Sequence, residues 1–392
     1  LGKGKGSPEV AKQPSKTWEK WGVKLVEAQT DLGFQLFREL AKEQPDKNLL
    51  ISPCSVGQAL AMAYVGAGGE TLAQMSKVMG IADIKMADFL ATNKELQGLL
   101  ASGDSKVEVE SANSLWARQG VAFEDSFVRR CRTDFDADAQ SLDFRSPDAV
   151  KTINAWVQKA THDKIAKIVE EIPDDAVMYL MNATYFKGQW QVKFDPKNTS
   201  ELTFHLADGS QKPAKMMSRS GKWQYVKEDD VEVLRLPYGE GRFGMIVFLP
   251  DKDVKFAEFV KGIEASKVKA WINHLREVEG DVIIPRFKAE FSTLLNKPLQ
   301  VLGMKDAFVP DKADFSAMRK AKDLFISRVL HKTFIEVDEE GTEAAAVTGV
   351  EVGITAVPQT ISFVADRPFV YAITDKVTGA VLFLGTLADP TP

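Results

Sequence analysis

From about position 30 onward the chain mixes stretches in which apolar residues recur every three to four positions with stretches in which they recur every second position. After Thr30, a good N-cap, Leu32, Leu36, Phe37 and Leu40 keep helical spacing until Pro45 and Asp46 interrupt it. After Ser52-Pro53, Ser55 caps a second predicted helix, whose apolar face of Val56, Ala59, Leu60, Ala63 and Tyr64 ends at Gly66, Gly68 and Gly69. The same spacing predicts helices over 85–101, 123–133, 147–168 and 254–278. Strand signals fall at 107–115, 176–186, 223–236, 242–249, 282–291, 324–337 and 369–387. No regular strand-helix alternation joins them, so the expected class is α+β with mostly antiparallel pairing.

Residues 1–23 depart from this texture. Lys3, Lys5, Lys12, Lys16 and Lys20 outnumber Glu9 and Glu19, and no period appears before Trp18 and Trp21. The expectation is a flexible basic tail over 1–23, followed by one domain over 24–392. Such a tail is solvated, or contacts an acidic partner, or is an arm lying on the body through Trp18 and Trp21.

Composition narrows the function classes. With 392 residues, 44% hydrophobic, 27% charged and a net charge of −5, the chain has the make-up of an ordinary globular protein, and nothing in it points to nucleic acid. Apolar runs such as Met245 to Leu249 are far shorter than the roughly 20 residues a membrane helix needs, so no membrane partner is expected. Cys54 and Cys131 are distant in sequence and belong to no CxxC or Cys/His pattern, which predicts two free, partly buried thiols and no metal site. There is no GxSxG or HExxH, and the four histidines, His162, His205, His274 and His331, sit in no hydrolase motif. Neither enzymatic activity nor a cofactor is expected.

Residues 341–357, GTEAAAVTGVEVGITAV, form an unusual connector because they are neither charged throughout nor proline-rich. By parity, Thr342, Ala344, Ala346, Thr348, Val350, Val352 and Ile354 share one side. Glu343 and Glu351 share the other with Ala345, Val347, Gly349 and Gly353. This is the pattern of a half-buried strand. Its first residues are small enough to slip between two existing strands, and no proline removes a ladder donor before Pro358. An ordinary strand of about 15 residues would be far longer than the usual 5–6.

Residues 339–346, EEGTEAAA, resemble the loop hinge of inhibitory serpins, and the resemblance extends from about Leu25 to the C-terminus. It is carried as well by NLLISPCS at 48–55, GAGGET at 66–71, NATYFKGQW at 182–190, RVLHK at 328–332, DRPF at 366–369 and the stretch 379–390. The resemblance implies a serpin fold of three β-sheets and eight or nine helices with an exposed reactive-centre loop at about 339–362. It also implies a covalent partner, a serine or cysteine protease, that cleaves the loop and is trapped as an acyl-enzyme when the loop inserts into the main sheet. A segment of about 15 residues at ~3.3 Å each would carry the enzyme about 50 Å. Deacylation requires tightly held geometry, so distorting the enzyme's catalytic groups stops it.

Carried over residue by residue, the resemblance puts the hinge at Gly341, Thr342, Glu343, Ala344, Ala345 and Ala346. It puts a polar shutter under the sheet at Ser52, Ser55, Asn182 and His331. The breach, where the loop first enters, falls at Trp190, Arg286 and Glu339, with a Glu339–Arg286 ion pair holding the hinge closed. The reactive bond falls between Thr355 and Ala356, with Ile354-Thr355 and Ala356-Val357 as alternatives, because the span from Gly341 to Pro368 is about two residues longer than in common members. No Lys or Arg lies between Lys332 and Arg367, and no aromatic, Leu or Met lies between Phe334 and Phe363. A pocket with a buried carboxylate finds no cation there, so the expected target has elastase-like or subtilisin-like preference. The rival expectation is a non-inhibitory serpin acting as carrier, storage protein or chaperone. By analogy the chain is expected to be a monomer outside the cell or in the cell envelope, with the cytoplasm as the alternative.

Overall fold

The computed structural model describes residues 14–342 and 360–390. The helices among them are α1 (Lys16–Glu43), α2 (Pro53–Tyr64), α3 (Gly69–Val78), α4 (Met86–Ala101), α5 (Asp125–Phe135), α6 (Asp148–Ala160), α7 (Phe256–Gly262), α8 (Ala265–His274) and α9 (Asn296–Leu302). The first eight strands are β1 (Leu50–Ile51), β2 (Val107–Arg118), β3 (Asp138–Leu142), β4 (Met178–Gln189), β5 (Ser200–His205), β6 (Gln211–Lys227), β7 (Val231–Pro237) and β8 (Phe243–Pro250). The remaining strands are β9 (Arg276–Pro285), β10 (Phe287–Leu294), β11 (Ile326–Val337), β12 (Gly341–Thr342), β13 (Thr360–Val364), β14 (Phe369–Asp375) and β15 (Val381–Leu387).

The class is α+β, as the pattern implies. One sheet of six strands runs β10-β11-β4-β2-β3, with β12 attached to β4. A nine-stranded sheet runs β1-β15-β14-β8-β7-β6-β9-β13, with β5 attached to β6. β6 pairs with β5, β9 and β7 along its length, so two of the three expected sheets are joined through this one strand.

The six-stranded sheet is buried on both faces at its centre, and alternation along β4 decides which residue meets which cover. Tyr179, Met181, Ala183 and Tyr185 pack with Ile153 and Val157 of α6, with Ile165 and Ile168 of the strap that follows it, and with Leu330 and Phe334 of β11. The opposite face of β4 carries Met178, Leu180 and Phe186 into the main core, and there Asn182 meets Ser55 of α2. All of α2 is buried. Its start is fixed by Ser52, whose side chain accepts from the Ser55 N–H, and by Pro53 in the first turn. Gly33 of α1 allows this close approach, since a Cβ there would lie 2.4 Å from the Pro53 Cβ.

Several boundaries differ from the sequence reading for identifiable reasons. The first helix starts at Lys16 rather than Thr30, so the expected tail is helical over 16–23; residues 1–13 lie outside the described residues. Ser15 caps it by accepting from the Trp18 N–H, and Trp18 and Trp21 pack against the core one and two turns before Leu25. Thr30 lies inside the helix and donates its hydroxyl to the Val26 carbonyl. The helix expected over 147–168 stops at Ala160 because the Asn154 side chain accepts from the N–H groups of Ile168 and Val169 and folds the chain back as a strap. Ile263 and Glu264 divide the region 254–278 into α7 and α8, with β9 beginning at Arg276. The acidic run Glu228, Asp229 and Asp230 is the turn between β6 and β7 inside the strand expected at 223–236.

Candidate functional site

Cross-strand register assembles the polar cluster that spacing alone could not place. His331 on β11 lies opposite Asn182 on β4, and Asn182 lies opposite Asn113 on β2. Two residues along the same face, Thr333, Thr184 and Ser111 form a second row. Ser52 and Ser55, at the head of α2, cap both rows. All four expected shutter residues, Ser52, Ser55, Asn182 and His331, are therefore together and buried.

The hydrogen bonds in this cluster form a closed set. His331 Nε2 accepts from the Ser52 N–H at 3.0 Å, so the ring proton resides on Nδ1 and is donated to Asn182 Oδ1 at 2.5 Å. Asn182 Nδ2 donates to Asn113 Oδ1 at 2.7 Å and to Ser55 Oγ. Ser55 Oγ also meets the hydroxyls of Thr184, at 2.6 Å, and Ser111. Thr333 Oγ1 donates to the Leu50 carbonyl at 2.8 Å. Burial lowers the His331 pKa to about 3, so the ring is neutral, as acceptance from Ser52 requires. Asn113, Ser111, Thr184 and Thr333 were not singled out from the sequence. Their signal is a polar residue at every second position of three neighbouring strands, and it becomes readable once the register is known.

This cluster lies beneath a closed seam. β11 and β4 pair directly and in parallel, from Arg328 opposite Tyr179 through Phe334 opposite Tyr185, so no strand separates them there. Above Phe334 the two strands part. Asp338 accepts through Oδ1 from the N–H groups of Glu340 and Gly341, at 2.9 and 3.2 Å, and the chain reverses. Gly341 and Thr342 then pair antiparallel with Gln189 and Gly188 of β4. That is the direction a new strand between β4 and β11 would take.

Gly341 is required at this turn. Its φ is +129°, and a Cβ would lie 2.2 Å from the Gly188 carbonyl oxygen and 2.5 Å from the Trp190 nitrogen. The rest of the expected hinge, Glu343, Ala344, Ala345 and Ala346, and the expected reactive bond, Thr355 and Ala356, lie outside the described residues.

The expected breach residues surround the same turn. The Trp190 indole N–H donates to the Asp338 carbonyl at 2.8 Å, and its ring stacks on Tyr238 with centroids 4.3 Å apart. Arg286 Nε stands 3.5 Å from Glu339 Oε2, so the expected ion pair is present. Glu339 is buried and also accepts from Thr199 Oγ1 at 2.6 Å. Lys193 pairs with Glu340, and the Phe194 N–H donates to the Glu339 carbonyl at 2.9 Å. Burial raises the Asp338 pKa, against the lowering effect of the two backbone N–H groups it accepts from. Thr199, Tyr238 and Asp338 are further members that the sequence reading did not name.

The fold and site together define a protein in which Gly341 and Thr342 pair with β4 at the upper end of a directly paired β4–β11 seam that overlies a buried polar cluster. The comparisons give that class its family. The model described as "Serpin (serine protease inhibitor)" matches residues 27–390, and the chain belongs to the serpin family. It is 38% identical over 379 residues to the leukocyte elastase inhibitor of Bos taurus, with 93% of this chain and 99% of that protein covered. It is 36% identical over 373 residues to intracellular coagulation inhibitor 2 of Tachypleus tridentatus, with 93% and 91% covered. Among solved structures, the thermophilic serpin tengpin in its native state matches with a TM-score of 0.84 and 31% identity, covering 98% of this chain and 97% of that one.

Both cysteines are free and buried, as expected, and burial raises each thiol pKa to about 12. No helix among the described residues is long and apolar enough to cross a membrane.

Proposed function

We propose that this protein is a suicide-substrate inhibitor of a serine protease, or of a cysteine protease with similar preference, and acts by inserting its loop between β4 and β11. The observation that carries this reading is the antiparallel pairing of Gly341 and Thr342 with β4 at the upper end of a seam that is closed below. The residues that follow, 343–357, carry a run of alanines at 344–346 and a strand's alternation throughout. Insertion would give this segment a ladder with two neighbours and bury the Thr342, Ala344, Ala346, Thr348, Val350 side, which supplies the pull. The chain itself performs no catalysis: the protease's own nucleophile attacks the loop, and the inhibitor acts through the fold change.

The loop composition favours an enzyme that accepts small or β-branched residues, with Thr355-Ala356 as the bond cut and Ile354-Thr355 or Ala356-Val357 as its neighbours. The name of the bovine relative agrees with an elastase-like target. The names of the relatives reported above do not speak for an extracellular or cell-envelope site, and that of the Tachypleus tridentatus relative contains the opposite word. The protein's compartment is therefore not part of this proposal.

Incubation with elastase-type and subtilisin-type proteases is expected to give a complex that survives SDS and to release a C-terminal peptide beginning between Thr355 and Val357. Cleavage of the loop by every enzyme tried, with no stable complex, would instead favour the carrier, storage or chaperone reading.

A further inference from the structure

The geometry points to a divalent transition-metal site made by Glu108, Glu110 and His162, which ties the strap after α6 to β2 and slows opening of the β4–β11 seam when occupied. The second half of this inference rests on the insertion reading above.

Glu108 and Glu110 are two residues apart on β2, so their side chains leave the same face of the sheet. His162 comes from the strap, two residues after the end of α6. Its Nε2 lies 3.7 Å from Glu108 Oε1 and 3.5 Å from Glu110 Oε1, and one ligand atom from each of the three residues falls within 4.8 Å of the others. In a tetrahedral site with ligand bonds of ~2.1 Å, donor atoms are about 3.4 Å apart. The cluster is thus close to the spacing of a bound ion before any rearrangement. One imidazole and two carboxylates suit an ion of the zinc and cobalt class rather than calcium or magnesium. The three side chains are 39–60% exposed, which leaves the ion an entry path and room for water as a further ligand.

The position makes the site consequential. The strap crosses the seam: Lys332 of β11 donates its ammonium to the Lys167 carbonyl at 2.5 Å, and the Lys164 ammonium lies 6.0 Å from the rings of both Tyr185 on β4 and Phe334 on β11. Ile165 and Ile168 pack into the apolar cluster formed by those strands. β4 and β11 cannot separate unless the strap lifts or slides. A metal held by His162 and the two β2 carboxylates would anchor one end of it.

The test uses the full-length protein, stripped with a chelator and titrated with cobalt chloride. One equivalent is expected to bind and give the visible absorption of a low-coordinate Co2+ site. His162→Asn, which preserves the left-handed backbone at φ +48°, should weaken binding at least about tenfold, as should Glu108→Gln with Glu110→Gln. Zinc chloride should then slow formation of the SDS-stable protease complex in the parent protein, relative to chelator, and have no effect in His162→Asn. No stoichiometric site, or binding indifferent to His162→Asn, would reduce the cluster to an ion pair and overturn the site. Binding with no change in rate would overturn the clamp. If no protease forms a complex, the insertion reading fails, while the cobalt titration still decides the site.

Discussion

His331 shows how one side chain can set a pH limit on the fold. Its ring is buried, neutral and committed through both nitrogens, to the Ser52 N–H and the Asn182 carbonyl oxygen. Its pKa is about 3 in the folded state against the ordinary 6.5. The unfolded chain therefore binds the extra proton first, so the contribution is complete above the ordinary value and is lost as pH falls from there toward 3. The slope is at most about 1.4 kcal/mol per pH unit. Urea unfolding at pH 7 and pH 5 should show a loss of stability that a His331→Gln variant largely lacks; equal losses in the two proteins would remove His331 as the cause. Cys54 and Cys131, with thiol pKa values near 12, are protonated at neutral pH and shielded. Iodoacetamide at pH 8 should leave both unmodified until denaturant is added, and rapid alkylation of the folded protein would contradict their placement. Gly341→Ala should break the pairing of β12 with β4, because the new methyl group would collide with the Gly188 and Trp190 backbones. Increased hydrogen exchange at the Trp190 amide, which donates to the Glu340 carbonyl, is the expected sign, and unchanged protection there would refute it.

At the scale of elements, two sets of contacts bridge the seam and its mouth, and their magnitudes differ. Asn182 on β4 joins β11, β2 and α2 through buried hydrogen bonds, and Asn182→Ala leaves His331 Nδ1 and Asn113 Oδ1 without their mate, a cost of about 2–4 kcal/mol. Arg286 is 42% exposed, so Arg286→Met should cost about 1 kcal/mol or less. Chemical denaturation of the two variants should rank them in that order, and the reverse order would mean the seam is held chiefly at its mouth. Much of this was legible beforehand. The family motifs named Ser52, Ser55, Asn182 and His331 of the polar cluster and Trp190, Arg286 and Glu339 at the turn, but not Thr199, Tyr238 and Asp338, which join the turn through contacts the motifs do not contain. Asn113, Ser111 and Thr184 escaped because a shift of one residue in pairing sends each to the other face of the sheet, and nothing local in the sequence fixes that choice. The strap escaped for a related reason. Its apolar residues continue the helical spacing of α6, and only the capture of the Ile168 and Val169 N–H groups by the Asn154 side chain ends the helix early.

On the proposed reading, the molecule as a whole is a sheet one strand short of the complement it takes after insertion. β10, β11, β4 and β2 form a continuous ladder, the polar lock lies beneath its middle, α6 and its strap cover its outer face, and Gly341 and Thr342 wait at its upper edge. Each feature is an ordinary piece of packing, and under the proposed insertion they act together: the seam parts from the top and admits the chain that follows Thr342. The most direct test is to cut the loop with a protease that it does not trap and then melt the nicked protein. Insertion predicts that the cut protein, both fragments retained, melts higher than the intact one by about 10 °C or more, with the cut arm resistant to further digestion. A nicked protein that melts where the intact one does, its cut arm still digestible, would contradict the account.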